Sequence, residues 1–292
     1  MKKIALHMLA AVLATGMLCP PVSAQPVRHR EIPLKGEREL QVTVDVSFGK
    51  VYISKGPSSK VVVADYSSPV DEDKEEFEMS YSVHNGRGEL LLRSKERGRF
   101  WGRSRKDDDN LDDREWNLQF TDEIPISFRV ELGAGRGELD LSGLQIREMK
   151  LSSGASAVDM RCDKPNPIRA DNIVIESGVS KFTATNLSNT NFRRLKFSGG
   201  VGAYKLDFGG SLRQDADAKI EVGLGAVTVN IPRTLPVRLY YDDSWFSTFD
   251  LQGDFHHRRS GVYETEGVNE KGPMMSIQIE SGLGSVKVRR RD

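Results

Sequence analysis

The sequence has few cysteines, few histidines and no excess of either charge. Its 292 residues include two cysteines and five histidines, too few for a multi-cysteine zinc site or a disulfide framework. The 42 basic residues equal the 42 acidic residues, whereas a dedicated nucleic-acid-binding protein would carry a basic excess. We therefore expect no nucleic-acid partner.

Long apolar runs are also absent, apart from one near the N-terminus. A basic start at residues 1–3 precedes an apolar run, residues 4–18, that is too short for a good membrane span. Val22 and Ala24 then occupy the −3 and −1 positions that a signal peptidase reads. These features are typical of a secretory signal peptide, residues 1–24, with cleavage predicted after Ala24.

Lipid attachment at Cys19 is the less favoured alternative for this segment. A lipid-attachment site needs a small residue before the cysteine, and Leu18 stands there. Removal of residues 1–24 leaves 40 basic and 42 acidic side chains and one cysteine, Cys162, so no intramolecular disulfide can form. We expect an exported protein, periplasmic or extracellular, without a transmembrane segment in the mature chain.

Helical periodicity is missing as well, and a short β repeat takes its place. No stretch longer than about ten residues has the i, i+3, i+4, i+7 apolar spacing of an amphipathic helix. A strand-like alternating run, a short turn and a second alternating run recur seven times; the first turn position is Gly in six of the seven copies, and the other turn position is always Gly or Ser. The predicted turn glycines are Gly49, Gly135, Gly137, Gly154, Gly178, Gly200, Gly202, Gly223, Gly225, Gly282 and Gly284.

The spacing of these turns predicts the fold. The second turn positions from Gly137 to Gly225 lie 19, 24, 22 and 23 residues apart, and the flanking intervals widen to 88 and 59 residues. Such a period, with two short strands and small turn residues, is typical of a β-solenoid, and the wider intervals indicate inserted strands or loops. Coils stack about 4.8 Å apart, so only small residues fit at the turns. We predict an all-β, single-stack, β-helix-like solenoid with essentially no helix after the signal peptide.

The residues around the turns predict a core and no cofactor. Alternate side chains point into a narrow core, and Cys162 stays in phase with Val158 and Met160, which favours a buried small apolar residue over a reactive thiol. No repeat has a Gly-x-Gly-x-x-Gly motif that opens a helix, so we expect no nucleotide cofactor.

The first part of the mature chain, residues 25–125, departs from the repeat. Two strand-like runs, residues 77–83 and 89–93, flank Asn85-Gly86, a strong hairpin signal. We predict that the strands of this part cap the N-terminal edge of the solenoid, whose repeats occupy residues 126–292.

A family resemblance accompanies the repeat. The run from Arg114 to Ile126, REWNLQFTDEIPI, and its continuation through Val130–Gly135 and Glu138–Leu144 resemble the bacterial toast-rack proteins. Those are secreted β-solenoids of unknown function, related to the C-terminal domain of LiaF-type envelope-stress proteins. The resemblance extends from about Val42 to Val288. It implies the fold and, as an alternative function, a regulatory role in envelope-stress signalling, and it transfers no catalytic residue.

A charged segment, residues 94–113, supplies the candidate partner contacts. It holds six basic side chains followed, with one exception, by six acidic ones, and we expect a loop with Phe100 and Trp101 near its tip. Exposed aromatic side chains beside arginines are good contact anchors. The candidate contacts are Arg99, Phe100, Trp101 and Arg103.

Three polar patterns and the basic C-terminus have plain explanations. Residues 108–113 lack the glycine of a calcium loop, and adjacent histidines at 256–257 would point to opposite faces of a strand, so we expect no metal. The aspartates at 242–243 are typical of a tight turn. We expect the basic residues 287–291 to charge the terminal coil and so prevent end-to-end stacking.

Two classes of function remain, and we favour the non-enzyme. The first is a non-catalytic secreted cell-envelope protein, a binding, scaffold or adhesin-like module for an unidentified protein or polysaccharide. The second is a polysaccharide-active enzyme on a β-helix scaffold, which would place charged residues in register on an outer face. The residues that follow the turns form no ordered row: Lys50, Glu138, Ala157, Lys181, Ala203, Ala226 and Ser285.

Overall fold

Strands make up 73% of the chain that the structure shows. The structure is a computed structural model that describes residues 27–68, 75–96, 114–242, 247–268 and 272–292. Helical structure in these residues is limited to one 3-10 turn, Leu187–Thr190, and the predicted all-β fold is confirmed. The strands are β1 (Val27–Pro33), β2 (Glu39–Lys55), β3 (Lys60–Ser67), β4 (Glu75–His84), β5 (Arg87–Glu96), β6 (Glu115–Phe120), β7 (Ile126–Asp140), β8 (Ile146–Arg161), β9 (Ala170–Thr185), β10 (Phe192–Asp207), β11 (Ala216–Pro232), β12 (Val237–Asp242), β13 (Ser247–Gln252), β14 (His256–Arg259), β15 (Val262–Glu264) and β16 (Met275–Arg291).

Seven long strands form the predicted solenoid stack. They pair in parallel and in register, in the order β2, β7, β8, β9, β10, β11, β16. Each strand runs on through its turn segment, Ser47-Phe48-Gly49 in β2 and Gly-x-[GS] in the other six, so this segment is a bend within one strand and each strand makes one coil. The halves before the bend form the first face of the stack, and the halves after the bend form the second face.

The bend changes the phase of the alternation, and this lets both halves of a strand bury side chains. In β11, Val222 is the last core residue before the bend and Val227 is the first after it, five positions later. A regular strand would turn Val227 to the solvent, because residues an odd number of positions apart lie on opposite faces. The two faces therefore enclose one continuous apolar core, which also holds Cys162, with 2% of its surface exposed.

The register corrects one turn assignment. Gly135, and not Gly137, pairs with Ser156 of the next coil, so the bend of β7 is Gly133-Ala134-Gly135. Gly137 pairs with Val158 and faces the core, where an added Cβ would meet the Leu132 side chain. The other predicted turn glycines do lie at the bends: Gly49, Gly135, Gly154, Gly178, Gly200, Gly202, Gly223, Gly225, Gly282 and Gly284.

Each end of the stack carries a coil made of two separate strands. At the N-terminal end, β5 pairs with the first half of β2 and β6 pairs with its second half. At the C-terminal end, β12 and β13 pair with the two halves of β16 in the same way. These inserted strands account for the wide intervals in the repeat. The Asn85-Gly86 hairpin between β4 and β5 is confirmed, with both residues at positive φ.

The basic C-terminus does not end the stack, so that prediction was wrong. β16 lies between β11 and the β12–β13 coil, and its charges face neighbours on both sides. Arg290 is buried: its Nε lies 3.1 Å from Asp254 Oδ1, and its Nη1 donates to the Leu235 carbonyl at 2.8 Å. This arginine fastens the last strand to the segments around it.

Candidate functional site

Several predicted site residues lie outside the described residues. These are the signal peptide and the candidate contacts Arg99, Phe100, Trp101 and Arg103. β5 continues to Glu96, so residues 94–96 are strand and do not belong to the predicted loop. His256 and His257 are both exposed on β14. No group of three or more His, Cys, Asp or Glu side chains that could hold a metal occurs in the described part of the chain.

The first face carries two ordered rows of charged and polar side chains. One row is basic in four of its six coils from β7 to β16, and its members in stack order are Arg129, Lys150, Val174, Lys196, Lys219 and Gln278. The other row is acidic, interrupted twice by serine, and consists of Asp45, Glu131, Ser152, Glu176, Ser198, Glu221 and Glu280. The predicted absence of an ordered row concerned only the residues after the turns, whereas both of these rows lie before the bend.

Ion pairs across coils tie the two rows together. Lys196 of β10 lies 3.0 Å from Glu221 of β11, and Ser198 donates a hydrogen bond to the same carboxylate. The same motif recurs two coils earlier, where Lys150 and Ser152 of β8 meet Glu176 of β9. Parallel in-register stacking produces these contacts: Ser198 lies directly beside Glu221, and Lys196, two positions earlier in the same strand, reaches Glu221 along a diagonal.

These contacts set the protonation states on the first face. Hydrogen bonds from Lys219 and Lys196 lower the pKa of Glu221 to about 2. Lys150 and Ser152 lower the pKa of Glu176 by the same kind of contact. Burial in the core, by contrast, raises the pKa of the Cys162 thiol to about 12, so this cysteine is not a reactive thiolate at neutral pH.

A shallow recess lies on the first face toward its C-terminal end. It has a volume of about 500 Å³ and is crossed by β9, β10, β11, β16 and β12. Tyr240 of β12 stands in the extension of the basic row, next to Gln278. The polar side chains of the lining are Asn172, Arg194, Lys196, Asp217, Lys219, Tyr240, Ser276 and Gln278. The recess therefore combines one aromatic ring with many hydrogen-bond donors.

The bends form a second continuous feature, the bend ridge. It consists of the middle residue of each bend, which is apolar in all seven coils: Phe48, Ala134, Ala155, Val179, Val201, Leu224 and Leu283. Four of these side chains are among the few large apolar side chains exposed in the described residues, with Val179 exposed by 66%. Sequence analysis assigned the flanking glycines and overlooked the residue between them.

Comparison with solved structures finds similar chains at low identity. A candidate cell adhesion protein from Clostridium sporogenes has 18% identity and a TM-score of 0.46, with 92% of this chain and 100% of that chain covered. A candidate adhesin from Bacteroides fragilis has 12% identity and a TM-score of 0.35, with 91% and 98% covered. A candidate lipid-binding protein from Parabacteroides distasonis has 12% identity and a TM-score of 0.28, with 91% and 97% covered.

The family comparison is more decisive. No match is found among curated proteins. No helix in the described ranges is long and apolar enough to span a membrane. A family profile described as the N-terminal domain of toast_rack, DUF2154, matches residues 22–185 and, again, residues 171–230. Because these matches span well over half of the sequence, the chain belongs to the toast-rack family, as its resemblance predicted.

Proposed function

We propose that this protein is a non-catalytic binding module of the cell envelope and that the first face is its binding surface. The observation that carries the proposal is that carboxylates of the acidic row are held in ion pairs between coils, Glu176 by Lys150 and Glu221 by Lys196. Among the described residues, every carboxyl group whose pKa departs from its ordinary value has that pKa lowered, as Glu176 and Glu221 show. A glycoside hydrolase needs a carboxyl group with a raised pKa as its general acid. The acidic row fits a binding surface better than a catalytic one.

The recess on the first face indicates what it would bind. Tyr240 offers a ring on which an apolar sugar face or side chain can lie, and Asn172, Arg194 and Gln278 offer hydrogen-bond donors. Amide, guanidinium and ammonium groups favour a partner that is rich in hydroxyl or carboxylate oxygens. We therefore propose an envelope polysaccharide as the ligand, with an envelope protein as the alternative outcome of the test.

The test compares two tyrosines on opposite faces. Purified mature protein is immobilised and offered fractionated envelope polysaccharides and envelope proteins, and Tyr240→Ala is compared with Tyr52→Ala, which alters the second face. We expect Tyr240→Ala to reduce polysaccharide capture at least tenfold and Tyr52→Ala to leave it within about twofold, because aromatic anchors dominate contact energies. Equal polysaccharide capture by both variants would contradict the proposal that the recess is the binding site. Polysaccharide cleavage by the wild type would show an enzyme instead.

Export and domain organisation belong to the same proposal. We propose cleavage after Ala24, a cap formed by strands within residues 25–125 and a repeat region over residues 126–292. The candidate contacts Arg99, Phe100, Trp101 and Arg103 stay proposed on the sequence alone. Cell fractionation with N-terminal sequencing checks the export: a mature chain that begins at Gln25 supports it. A Cys19→Ala variant that loses membrane association would favour the lipoprotein alternative.

A further inference from the structure

The surface around the bend ridge is almost uncharged. It is made of seven four-residue bend segments, 47–50, 133–136, 154–157, 178–181, 200–203, 223–226 and 282–285. Of these 28 residues only Lys50, Arg136 and Lys181 are charged, whereas 29% of the whole chain is charged. The strip is about 29 Å long, because six intervals of about 4.8 Å separate its seven coils. An exposed apolar strip bordered by charge is a mark of an interaction surface.

The two borders of the strip carry opposite charges. The acidic row of the first face borders one side, and the three basic residues border the other. The charges match in three of the seven coils: Asp45 with Lys50 in β2, Glu131 with Arg136 in β7, and Glu176 with Lys181 in β9. In two further coils only the acidic border is charged, with Glu221 and Ala226 in β11 and Glu280 and Ser285 in β16. In β8 and β10 both borders are uncharged, with Ser152 and Ala157 in β8 and Ser198 and Ala203 in β10.

Two of the three residues of the basic border form no ion pair within the described residues of one chain. Among the residues that the structure describes, Lys50 and Lys181 form no ion pair, and Arg136 pairs with Glu138 of its own strand at 3.0 Å. The acidic border is held by the basic row beside it, for example by Lys150 at Glu176. Two lysines therefore stand beside an apolar strip with their charges available to a partner.

We propose that the bend ridge is a self-association surface, occupied by the ridge of a second copy in parallel orientation. A two-fold axis parallel to the stack would place ridge against ridge with equal coils at equal levels. It would also place the acidic border of each copy opposite the basic border of the other. The antiparallel arrangement would face acidic border with acidic border, so the charge pattern favours the parallel dimer. This inference does not depend on the proposed function, since the recess lies on the first face.

The size of the strip sets the strength of the dimer. Four residues at about 3.3 Å each give a width of about 13 Å, so each copy would bury roughly 400 Å². Stable interfaces bury about 800 Å² per partner, and smaller contacts belong to weak or transient complexes. The dimer is therefore weak in dilute solution and is favoured where copies are concentrated.

Sedimentation equilibrium of the full mature chain tests the surface. From about 10 μM to about 1 mM, concentrations that bracket weak association, we expect a reversible rise from monomer toward dimer. Leu224→Ser with Val201→Ser should weaken the association at least tenfold. Val83→Ser, which alters an exposed apolar residue on β4, is the matched control and should leave it unchanged. A monomer at every concentration, or equal loss in the control, would overturn the proposal.

Cysteine cross-linking tests the orientation. Leu283 lies at one end of the ridge, so Leu283→Cys brings two thiols together only in the parallel dimer. Val179 is the middle of the seven ridge residues, so Val179→Cys cross-links in either orientation. The parallel dimer predicts disulfide-linked dimers from both variants under mild oxidation. Cross-linking of Val179→Cys alone indicates the antiparallel dimer and overturns the assignment, and so does the absence of cross-linking in both.

Discussion

The bend and the first face use the same repeat for different reasons. At the bend, stacking itself demands repetition: an added Cβ at Gly225 would overlap the carbonyl oxygen of Gly202, and one at Gly284 would overlap that of Gly225. On the first face, outward side chains have room to vary, yet Lys150 and Glu176 recur as Lys196 and Glu221. Glycine recurs at the bend because stacking leaves no room for a side chain there. The ion pairs recur on the first face although stacking does not require them, and their effect is electrostatic.

The largest expected effect comes from a variant that tests the steric requirement for glycine at the bend. Gly225 has φ near 141°, a conformation that residues with a Cβ rarely adopt, and its Cα faces the carbonyl of the preceding coil. Gly225→Ala should lower the free energy of unfolding by about 3–5 kcal/mol, measured by urea denaturation. Gly36→Ala is the control, because Gly36 also has positive φ but open space around it. Equal losses of unfolding free energy in both variants would mean that glycine is required by its backbone conformation and not by its contact with the preceding coil.

A smaller effect tests the electrostatic side. Glu221 joins β10 and β11 through Lys196 and Ser198, so Glu221→Gln should cost about 1–2 kcal/mol at pH 7. This is less than its lowered pKa alone would give, since the side chain is 30% exposed and solvent screens the pair. Glu131→Gln is the matched control in the same row, because Glu131 pairs with Arg129 of its own strand. Similar costs in the two variants would contradict a special role for contacts between coils.

The same carboxylate predicts a pH dependence. The pKa of Glu221 is about 2 in the folded chain, against an ordinary value of 4.5, so the folded state favours the ionised form. Its contribution is complete above about pH 4.5 and is lost as the pH falls toward 2. The stability difference between wild type and Glu221→Gln should therefore shrink over this interval in urea titrations. A difference that stays constant down to pH 2 would show that the lost contact is not ionic.

The sequence was sufficient for the fold and insufficient for the surface. The Gly-x-[GS] period predicted the stack because small residues at the bend are a condition of stacking, and this condition is visible in one chain. It misplaced the bend of β7 by two residues, because glycines at 133, 135 and 137 offer two overlapping turns with the same alternation. The charged rows and the bend ridge emerge only when the register between coils is known. The number of residues between successive turns varies from coil to coil, so the sequence alone does not show which residues of neighbouring coils lie side by side.

The smallest expected effect separates the two kinds of residue within the bend. Leu224 is 47% exposed on the ridge, whereas Val222, two residues earlier in β11, is 4% exposed in the core. Leu224→Ala should cost about 0.5 kcal/mol in urea denaturation of dilute protein, because a side chain that stays half in water loses little on truncation. Val222→Ala should cost about 2 kcal/mol, since it leaves a cavity between the two faces. Equal losses of unfolding free energy in the two variants would mean that Leu224 contributes to stability as a core residue does. A small cost for Leu224→Ala, together with weakened self-association of ridge variants, would mean that the apolar residues at the bends serve contact between molecules, while the glycines beside them serve the stack.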